Sequence, residues 1–218
     1  MQSSGQLSSV RQTANWLSPM PQIILLLACF AVFLNKLTYH RPPPASALAH
    51  RVRDLSCIRC YRVVDAYIRL STLLVVVFTC FKPGASWLLA LPLRFPAQVV
   101  GLGTVILAEA AFIWSMRTLG KHYTPCFDSY LPSGIVTTGP YRYVRHPVYA
   151  SNILLMIGLS LLTQSVWVLI STAIVGGFYF SAARREEASL RKAFSGYAAY
   201  QAHSGMLVPR LRVLRPGG

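Results

Sequence analysis

Acidic residues are scarce in this sequence, with six Asp and Glu against 21 Lys and Arg among 218 residues. Charged residues of either sign make up only 12% of the chain, whereas soluble globular domains carry about 25%. Hydrophobic residues make up 54%. This composition argues against a soluble protein, and the length leaves no room for a large soluble domain beside a membrane domain.

Nucleic-acid-binding motifs are also lacking in the sequence, although a net charge of +15 would suit a polyanionic partner. The Lys and Arg residues lie between the apolar runs, where the positive-inside rule predicts them in a membrane protein. We therefore expect membrane lipids around this chain and no nucleic-acid partner.

The sequence contains one cysteine pair with C-x-x-C spacing and lacks a second one. Cys57 and Cys60 have the C-x-x-C spacing of metal or redox sites, but a zinc site needs four ligands. The pair is therefore interpreted as two reduced thiols on a cytoplasmic loop, and no metal is expected. Cys29 and Cys80 lie in apolar runs, which is typical of buried thiols.

Long apolar runs are abundant. A membrane span takes about 20 residues, and five segments reach or approach that length: 22–38, 66–81, 97–116, 147–163 and 165–183. Helices are expected because backbone polar groups in lipid must bond within their own segment. A short polar break at residues 163–165 separates the last two segments, which predicts a helical hairpin. The predicted fold is an all-α polytopic integral membrane protein with about five transmembrane helices.

The loops between these segments alternate in charge. The first connection, the third connection and the tail are rich in Lys and Arg, whereas the second connection is poor and the hairpin turn has none. This pattern predicts an N-terminus outside and a third connection and tail in the cytoplasm. Residues 1–96 are then N-terminal membrane helices with a basic cytoplasmic loop, and residues 97–218 form the core with a cytoplasmic tail. The first segment also resembles a signal peptide, but its basic n-region is weak and no cleavage site follows directly, so we interpret it as an uncleaved helix.

Polar residues that are candidates for binding or catalysis are concentrated at two points of the core. Residues 135–149 contain a Gly-Pro turn, three tyrosines, two arginines and a histidine. Pro147 suits the first position of a helix, and a helix N-terminus attracts anions. Glu186 and Glu187 follow the last apolar segment. Because a hairpin returns its ends to the same membrane face, we expect these acids to lie near the Arg-His pair that precedes Pro147.

The first of these points carries a family signature. Residues 139–149 read Gly-Pro-Tyr-Arg-Tyr-Val-Arg-His-Pro-Val-Tyr. This segment resembles the G-P-Y-x-x-x-R-H-P-x-Y motif of the isoprenylcysteine carboxyl methyltransferase family and its phospholipid methyltransferase relatives. The similarity continues in the E-E-x-x-L pattern from Glu186 and in the tyrosines of the tail, and it covers about residues 97–211.

The resemblance implies methyl transfer from S-adenosyl-L-methionine to a lipophilic acceptor at the membrane. Glu186 would then pair with the amino group of the cofactor, and His146 and the following helix start with its carboxylate. Tyrosine rings would contact its adenine and sulfonium. The residues assigned to the cofactor in this way are Ile135, Val136, Tyr141, His146, Pro147, Tyr149, Glu186, Tyr197 and Tyr200.

The resemblance assigns Arg145 and Glu187 to catalysis. Arg145 would hold the carboxylate of an isoprenylcysteine-like or other prenylated acceptor in a bidentate manner. Such a carboxylate is ionised at neutral pH and needs no general base. An amine or thiol acceptor would have to lose a proton, for which Glu187 or His146 is the candidate base.

The sequence does not identify the molecule that accepts the methyl group. Ala182 occupies the position where members that methylate prenylated cysteine typically carry an arginine, and the Phe-Ser-Gly-Tyr step at residues 194–197 is one residue shorter than the usual pattern. Phospholipids and other lipophilic amines or thiols are alternative acceptors. An NADPH-dependent membrane reductase and a non-enzymatic scaffold or transporter subunit are alternative functions.

The same residues also have purely structural interpretations. Arg145 would anchor a helix end at the lipid head groups, and His146 would cap a helix. The two glutamates would form a solvated turn, and the tyrosines of the tail would belong to an interfacial belt. Glu109 is the one acid within a predicted span, where it is either functional or a protonated donor between helices, and we leave it outside the site.

Overall fold

The computed structural model describes residues 95–122, 132 and 134–210, together with five helical positions between residues 63 and 73. The main part contains four α-helices, which we number α1, Phe95–Leu119; α2, Pro147–Thr163; α3, Val166–Ala193; and α4, Tyr197–His203. Short 3-10 turns lie at Gly120–His122 and Gly139–Arg142. The described residues contain no β-strand, and an isolated bridge pairs Val144 with Gly205.

Helices α1 to α3 match the third, fourth and fifth predicted segments, so the largely helical fold and its hairpin are confirmed. The first predicted span and the Cys57–Cys60 pair lie outside the described residues. Of the second predicted span, positions 66, 67, 70 and 73 are described, and all four are helical. The number of five spans therefore stays a prediction.

Helices α1 and α3 are long and apolar enough to cross a membrane, over Pro96–Leu119 and Val166–Ala193. At 1.5 Å per residue α1 measures about 37 Å and α3 about 42 Å, against a hydrocarbon core of about 30 Å. Both helices expose large apolar side chains to their surroundings, including Ile106, Leu107 and Trp114 on α1 and Ile170 and Ile174 on α3. Exposed apolar bands of this kind suit lipid contact.

The pairing of α1 with α2 depends on two glycines. A Cβ atom at Gly101 would lie 2.7 Å from the backbone nitrogen of Leu162, and one at Gly158 would lie 2.9 Å from the backbone nitrogen of Val105. The two backbones are therefore in direct contact, which is how small residues bring membrane helices together. The close approach fixes the position of α2, whose first turn contains the last three residues of the motif, 147–149.

The turn between α2 and α3 allows the hairpin to close. Gln164 adopts a left-handed conformation with φ of 51°, and the Ser165 hydroxyl accepts a hydrogen bond from the backbone of Val168 at the start of α3. Ser160 and Thr172 share a hydrogen bond of 2.9 Å between the two helices. These contacts bring the far end of α3 back to the level of the α2 start.

A C-terminal arm, residues 197–210, then folds over the motif. Its backbone runs beside the motif, with Arg145 N donating to Gly205 O at 2.8 Å and His146 N donating to Met206 O at 3.1 Å. Gly205 N donates in return to Tyr143 O at 3.0 Å. A Cβ at Gly205 would lie 1.7 Å from the Val208 carbonyl oxygen, so the tight turn of the arm requires glycine there.

Candidate active site

The local structure of the motif follows from its glycine and prolines. Gly139 has a φ of +57°, which glycine adopts without strain. The Gly139–Arg142 turn follows, and Pro147 occupies the first turn of α2 as predicted. His146 stands at the N-cap position of α2, but its side chain makes no capping hydrogen bond. The imidazole is therefore available for other contacts, and the capping interpretation does not describe it.

The hairpin brings both glutamates to this imidazole. His146 Nδ1 lies 3.7 Å from Glu186 Oε2, and His146 Nε2 lies 3.4 Å from Glu187 Oε1. His146 is buried, and its Nε2 makes no aligned hydrogen bond within the described part of the chain. The Tyr149 hydroxyl donates to Glu186 Oε2 at 2.8 Å. The expected meeting of the motif with the acidic pair is thus present.

The two glutamates differ in their surroundings. The Glu187 side chain is 10% exposed, and its two oxygens accept hydrogen bonds from Arg145 Nε at 2.5 Å and Gln201 Nε2 at 2.7 Å. The Glu186 side chain is 41% exposed. Glu187 is therefore enclosed by protein donors, whereas Glu186 remains accessible to a ligand.

Arg145 is turned toward the protein interior. Besides Glu187, its guanidinium donates through Nη1 to the backbone oxygens of Gln201, at 3.3 Å, and Ser204. The side chain is only 7% exposed, so it does not reach lipid head groups as an anchor. The proposed bidentate grip on an acceptor carboxylate differs from this arrangement, because Nε and Nη1 already have partners supplied by α3 and the C-terminal arm.

An aromatic stack supports the histidine. The rings of His146 and Tyr149 lie 5.2 Å apart and nearly parallel, at 7°, and Tyr149 stacks on Tyr179 at 5.1 Å and 25°. Stacked rings of this kind fix each other's orientation. Sequence reasoning missed Tyr179, which lies within the apolar run of α3. Its position seven residues, or two helical turns, before Glu186 could have placed it on the same face.

Of the two tyrosines of the arm, Tyr197 is buried and Tyr200 is half-buried. Tyr197 is 1% exposed, and the Tyr200 hydroxyl donates to the backbone oxygen of Tyr141 at 2.6 Å. Burial raises the pKa of Tyr200 to about 12. Burial, with a further contribution from the negative charge of Glu187, also raises the pKa of Tyr197. Both phenols are therefore neutral at physiological pH, and Tyr200 ties the arm to the motif.

The burial of the remaining predicted residues varies. Ile135 and Val136 are half-buried in the segment that leads into the motif, and Pro147 is buried. Glu109 is half-buried on α1. Gln201 was missed by sequence reasoning, although its spacing of four from Tyr197 indicates a shared helix face. No group of three or more His, Cys, Asp or Glu suited to a metal occurs among the residues that the structure describes.

Several known proteins are similar to part of this chain. Residues 96–196 match the family model described as phospholipid methyltransferase. Two curated relatives are the cobalt-zinc-cadmium resistance protein CzcN of Cupriavidus metallidurans, 32% identical over 103 residues, and the nickel-cobalt-cadmium resistance protein NccN of Alcaligenes xylosoxydans xylosoxydans, 30% identical over 103 residues. Each match covers 46% of this chain and 48% of the relative, so it spans about half of either protein.

The fold is similar to that of a solved membrane enzyme. The eukaryotic intramembrane Ras methyltransferase ICMT (isoprenylcysteine carboxyl methyltransferase) superposes with a TM-score of 0.55 at 21% identity, over 89% of this chain and 69% of that one. The helical fold is that of a membrane enzyme, and α1 and α3 are long and apolar enough to cross a membrane, which supports an integral membrane location. The family predicted from the motif is confirmed: residues 96–196 form a domain of the phospholipid methyltransferase family, in a chain with the helical fold of isoprenylcysteine carboxyl methyltransferase.

Proposed function

We propose that this protein transfers a methyl group from S-adenosylmethionine to a lipophilic acceptor at the membrane. One observation carries the proposal. In a domain of a methyltransferase family, the start of α2 and the end of α3 present a buried imidazole and an accessible carboxylate, with His146 Nδ1 3.7 Å from Glu186 Oε2. This is a small polar site at the end of two apolar helices.

The residues of this site fit the polar groups of the cofactor. The accessible Glu186 suits an ammonium group, and a charge-assisted bond of this kind is about twice as strong as a neutral one. Among the described residues His146 Nε2 makes no aligned hydrogen bond, with Glu187 Oε1 3.4 Å away, and the positive end of the α2 dipole lies beside the ring. These two features suit a carboxylate. Tyr149 is 3% exposed and lies between the rings of His146 and Tyr179, so it orients the imidazole that would meet the ligand.

The chemistry supplied by S-adenosylmethionine is a methyl group activated by its bond to a positively charged sulfur. The protein contributes orientation and the exclusion of water. Glu186 and His146 bind the amino-acid end, and the Tyr149 hydroxyl, which donates to Glu186, keeps that carboxylate facing the site. The C-terminal arm covers the motif through Arg145 and Tyr200 and keeps solvent away from it.

A carboxylate of an isoprenylcysteine-like molecule is the acceptor we favour, because the solved structure with this fold is an isoprenylcysteine carboxyl methyltransferase. Such an acceptor is ionised at neutral pH and needs no base at the site. The exposed apolar faces of α1 and α3 would admit its lipid tail from the bilayer. A phospholipid amine is the second candidate acceptor, since the family model is named for phospholipid methylation.

The orientation we propose places this site on the cytoplasmic side. Exposed basic side chains surround it at the end of α3 and in the motif, namely Arg142, Arg184, Arg185, Arg191 and Lys192. Positive residues of this kind accumulate on cytoplasmic ends of membrane helices.

The direct test is binding of S-adenosylhomocysteine to the purified protein in detergent, measured by calorimetry, with NADPH as the comparison ligand. We expect saturable binding of S-adenosylhomocysteine and none of NADPH. Transfer of a radiolabelled methyl group into membrane extracts would then identify the acceptor. Absence of heat at millimolar S-adenosylhomocysteine, or saturable binding of NADPH, would overturn the proposal.

A further inference from the structure

A row of four side chains links the acidic pair to the C-terminal arm. Arg145 Nε donates to Glu187 Oε1 at 2.5 Å, and Gln201 Nε2 donates to Glu187 Oε2 at 2.7 Å. Gln201 Oε1 in turn accepts from Arg191 Nε at 3.0 Å and from Arg191 Nη2 at 2.7 Å. We call Gln201 with its partners Glu187 and Arg191 the Gln201 bridge. It joins α4 to two successive turns of α3.

The chemistry of these partners fixes the orientation of the Gln201 amide. Glu187 is an acceptor and Arg191 is a donor, so only an amide with nitrogen toward the carboxylate and oxygen toward the guanidinium satisfies both. A carboxylate at this position would leave Glu187 without its donor, and an apolar side chain would leave both partners without a hydrogen bond. The bridge therefore requires a group that donates at one end and accepts at the other.

The Gln201 bridge gives the two glutamates different roles. Both oxygens of Glu187 have protein donors, and its side chain is 10% exposed. Glu186 is the neighbour on the same helix, so its direction is set once Glu187 is fixed, because successive helical residues point about 100° apart. In that direction Glu186 meets the Tyr149 hydroxyl and lies 3.7 Å from His146 Nδ1.

We infer that Gln201 is a positioning residue, which together with Arg145 holds Glu187 so that Glu186 and His146 face the cofactor. The inference rests on the proposed function. It replaces the role of Glu187 as a base with a role as a fixed internal anchor. It also gives Arg145 an internal partner in place of an acceptor carboxylate.

The test exchanges the amide and the carboxylate. Gln201→Glu places two carboxylates side by side and removes the donor to Glu187. Glu187→Gln places two amides side by side and removes the carboxylate that accepts from Arg145 and Gln201. Each single variant should weaken S-adenosylhomocysteine binding about tenfold or more, the scale of a lost hydrogen bond to a charged group. The double variant Gln201→Glu/Glu187→Gln restores every donor to an acceptor and keeps the net charge. We expect its affinity to return to within about threefold of the wild type.

Ala199→Glu is the matched control, because it adds the same charge at an exposed position on another face of α4. Its affinity should equal that of the wild type. KM for S-adenosylmethionine should follow the binding data, and kcat of the double variant should recover with it.

Each result decides a separate point. A double variant that binds, or turns over, as poorly as Glu187→Gln would show that the carboxylate at 187 is required apart from its bond to residue 201, and the inference would be wrong. Unchanged affinity in both single variants would equally overturn it. If a single variant does not fold, recovery in the double variant still supports the bridge, and continued loss contradicts it. Failure of the wild type to bind S-adenosylhomocysteine would instead overturn the proposed function.

Discussion

Tyr149 donates a hydrogen bond of 2.8 Å to Glu186, a residue 37 positions further along the chain. The bond joins the first turn of α2 to the end of α3 at the point where the motif and the acidic pair meet. It also fixes one oxygen of the accessible carboxylate without enclosing it. Tyr149 therefore both supports the His146 ring by stacking and orients the Glu186 carboxylate.

Replacing Tyr149 separates these two contributions. Tyr149→Phe removes the hydrogen bond to Glu186 but keeps the stack, so we expect the dissociation constant of S-adenosylhomocysteine to rise about tenfold. Tyr149→Leu removes the stack as well and should weaken binding further. Calorimetry on the detergent-solubilised variants measures both. Tyr143→Phe, at an exposed position of the same segment, should bind like the wild type, and equal affinity of Tyr149→Phe and the wild type would contradict this role.

Glu186→Ala and His146→Ala test the polar ends of the site. Each should abolish detectable S-adenosylhomocysteine binding, because each removes the partner of one charged group of the ligand. Glu186→Ala should lower the melting temperature only by the loss of the Tyr149 hydrogen bond, since the side chain is otherwise 41% exposed. Binding titrations and thermal melts on the same samples give both values. Retained affinity in both variants would overturn the assignment of the site.

The glycines between α1 and α2 yield a prediction about stability. Gly101→Ala places a Cβ 2.7 Å from the backbone of Leu162, and overpacking of this kind costs about 1–3 kcal/mol. Gly103→Ala is the matched control, because a Cβ there meets nothing within 4 Å, and alanine is the better helix former by about 1 kcal/mol. We expect a lower melting temperature for Gly101→Ala and an equal or higher one for Gly103→Ala. Equal melting temperatures for the two variants would show that the backbones do not approach so closely.

Alkaline pH probes the bond between Tyr200 and the Tyr141 carbonyl. Burial raises the pKa of Tyr200 from 10.0 to about 12 in the folded protein. Below pH 10 the phenol is neutral in both states, and the wild type should be more stable than Tyr200→Phe by about 1 kcal/mol, the value of a hydrogen bond. Between pH 10 and pH 12 the unfolded chain loses this proton first, so the advantage of the wild type should shrink as pH rises. Thermal melts from pH 8 to pH 11 follow the difference, and a constant or growing difference would contradict the prediction.

The sequence by itself determined the helices and the family. Apolar runs of membrane length predicted α1, α2 and α3, because a backbone in lipid has to form helices. The polar break around Gln164 predicted the hairpin, and Pro147 predicted the start of α2. The motif from residue 139 to residue 149 identified the family before any contact was known. These features are local, so a linear pattern is sufficient to reveal them.

The tertiary structure decided which side chains face each other. The family resemblance assigned Glu186 to the cofactor and Glu187 to catalysis, but only the folded chain shows that Glu187 is enclosed and Glu186 is accessible. The resemblance assigned Arg145 to an acceptor carboxylate. In the folded chain its guanidinium instead bonds to Glu187 of α3 and to the backbone of the C-terminal arm. The role of Gln201 follows only from its hydrogen bonds to Glu187 and Arg191 in the folded chain. The physical reason is that a hydrogen bond depends on the distance and angle between groups far apart in the chain, which composition and spacing do not specify.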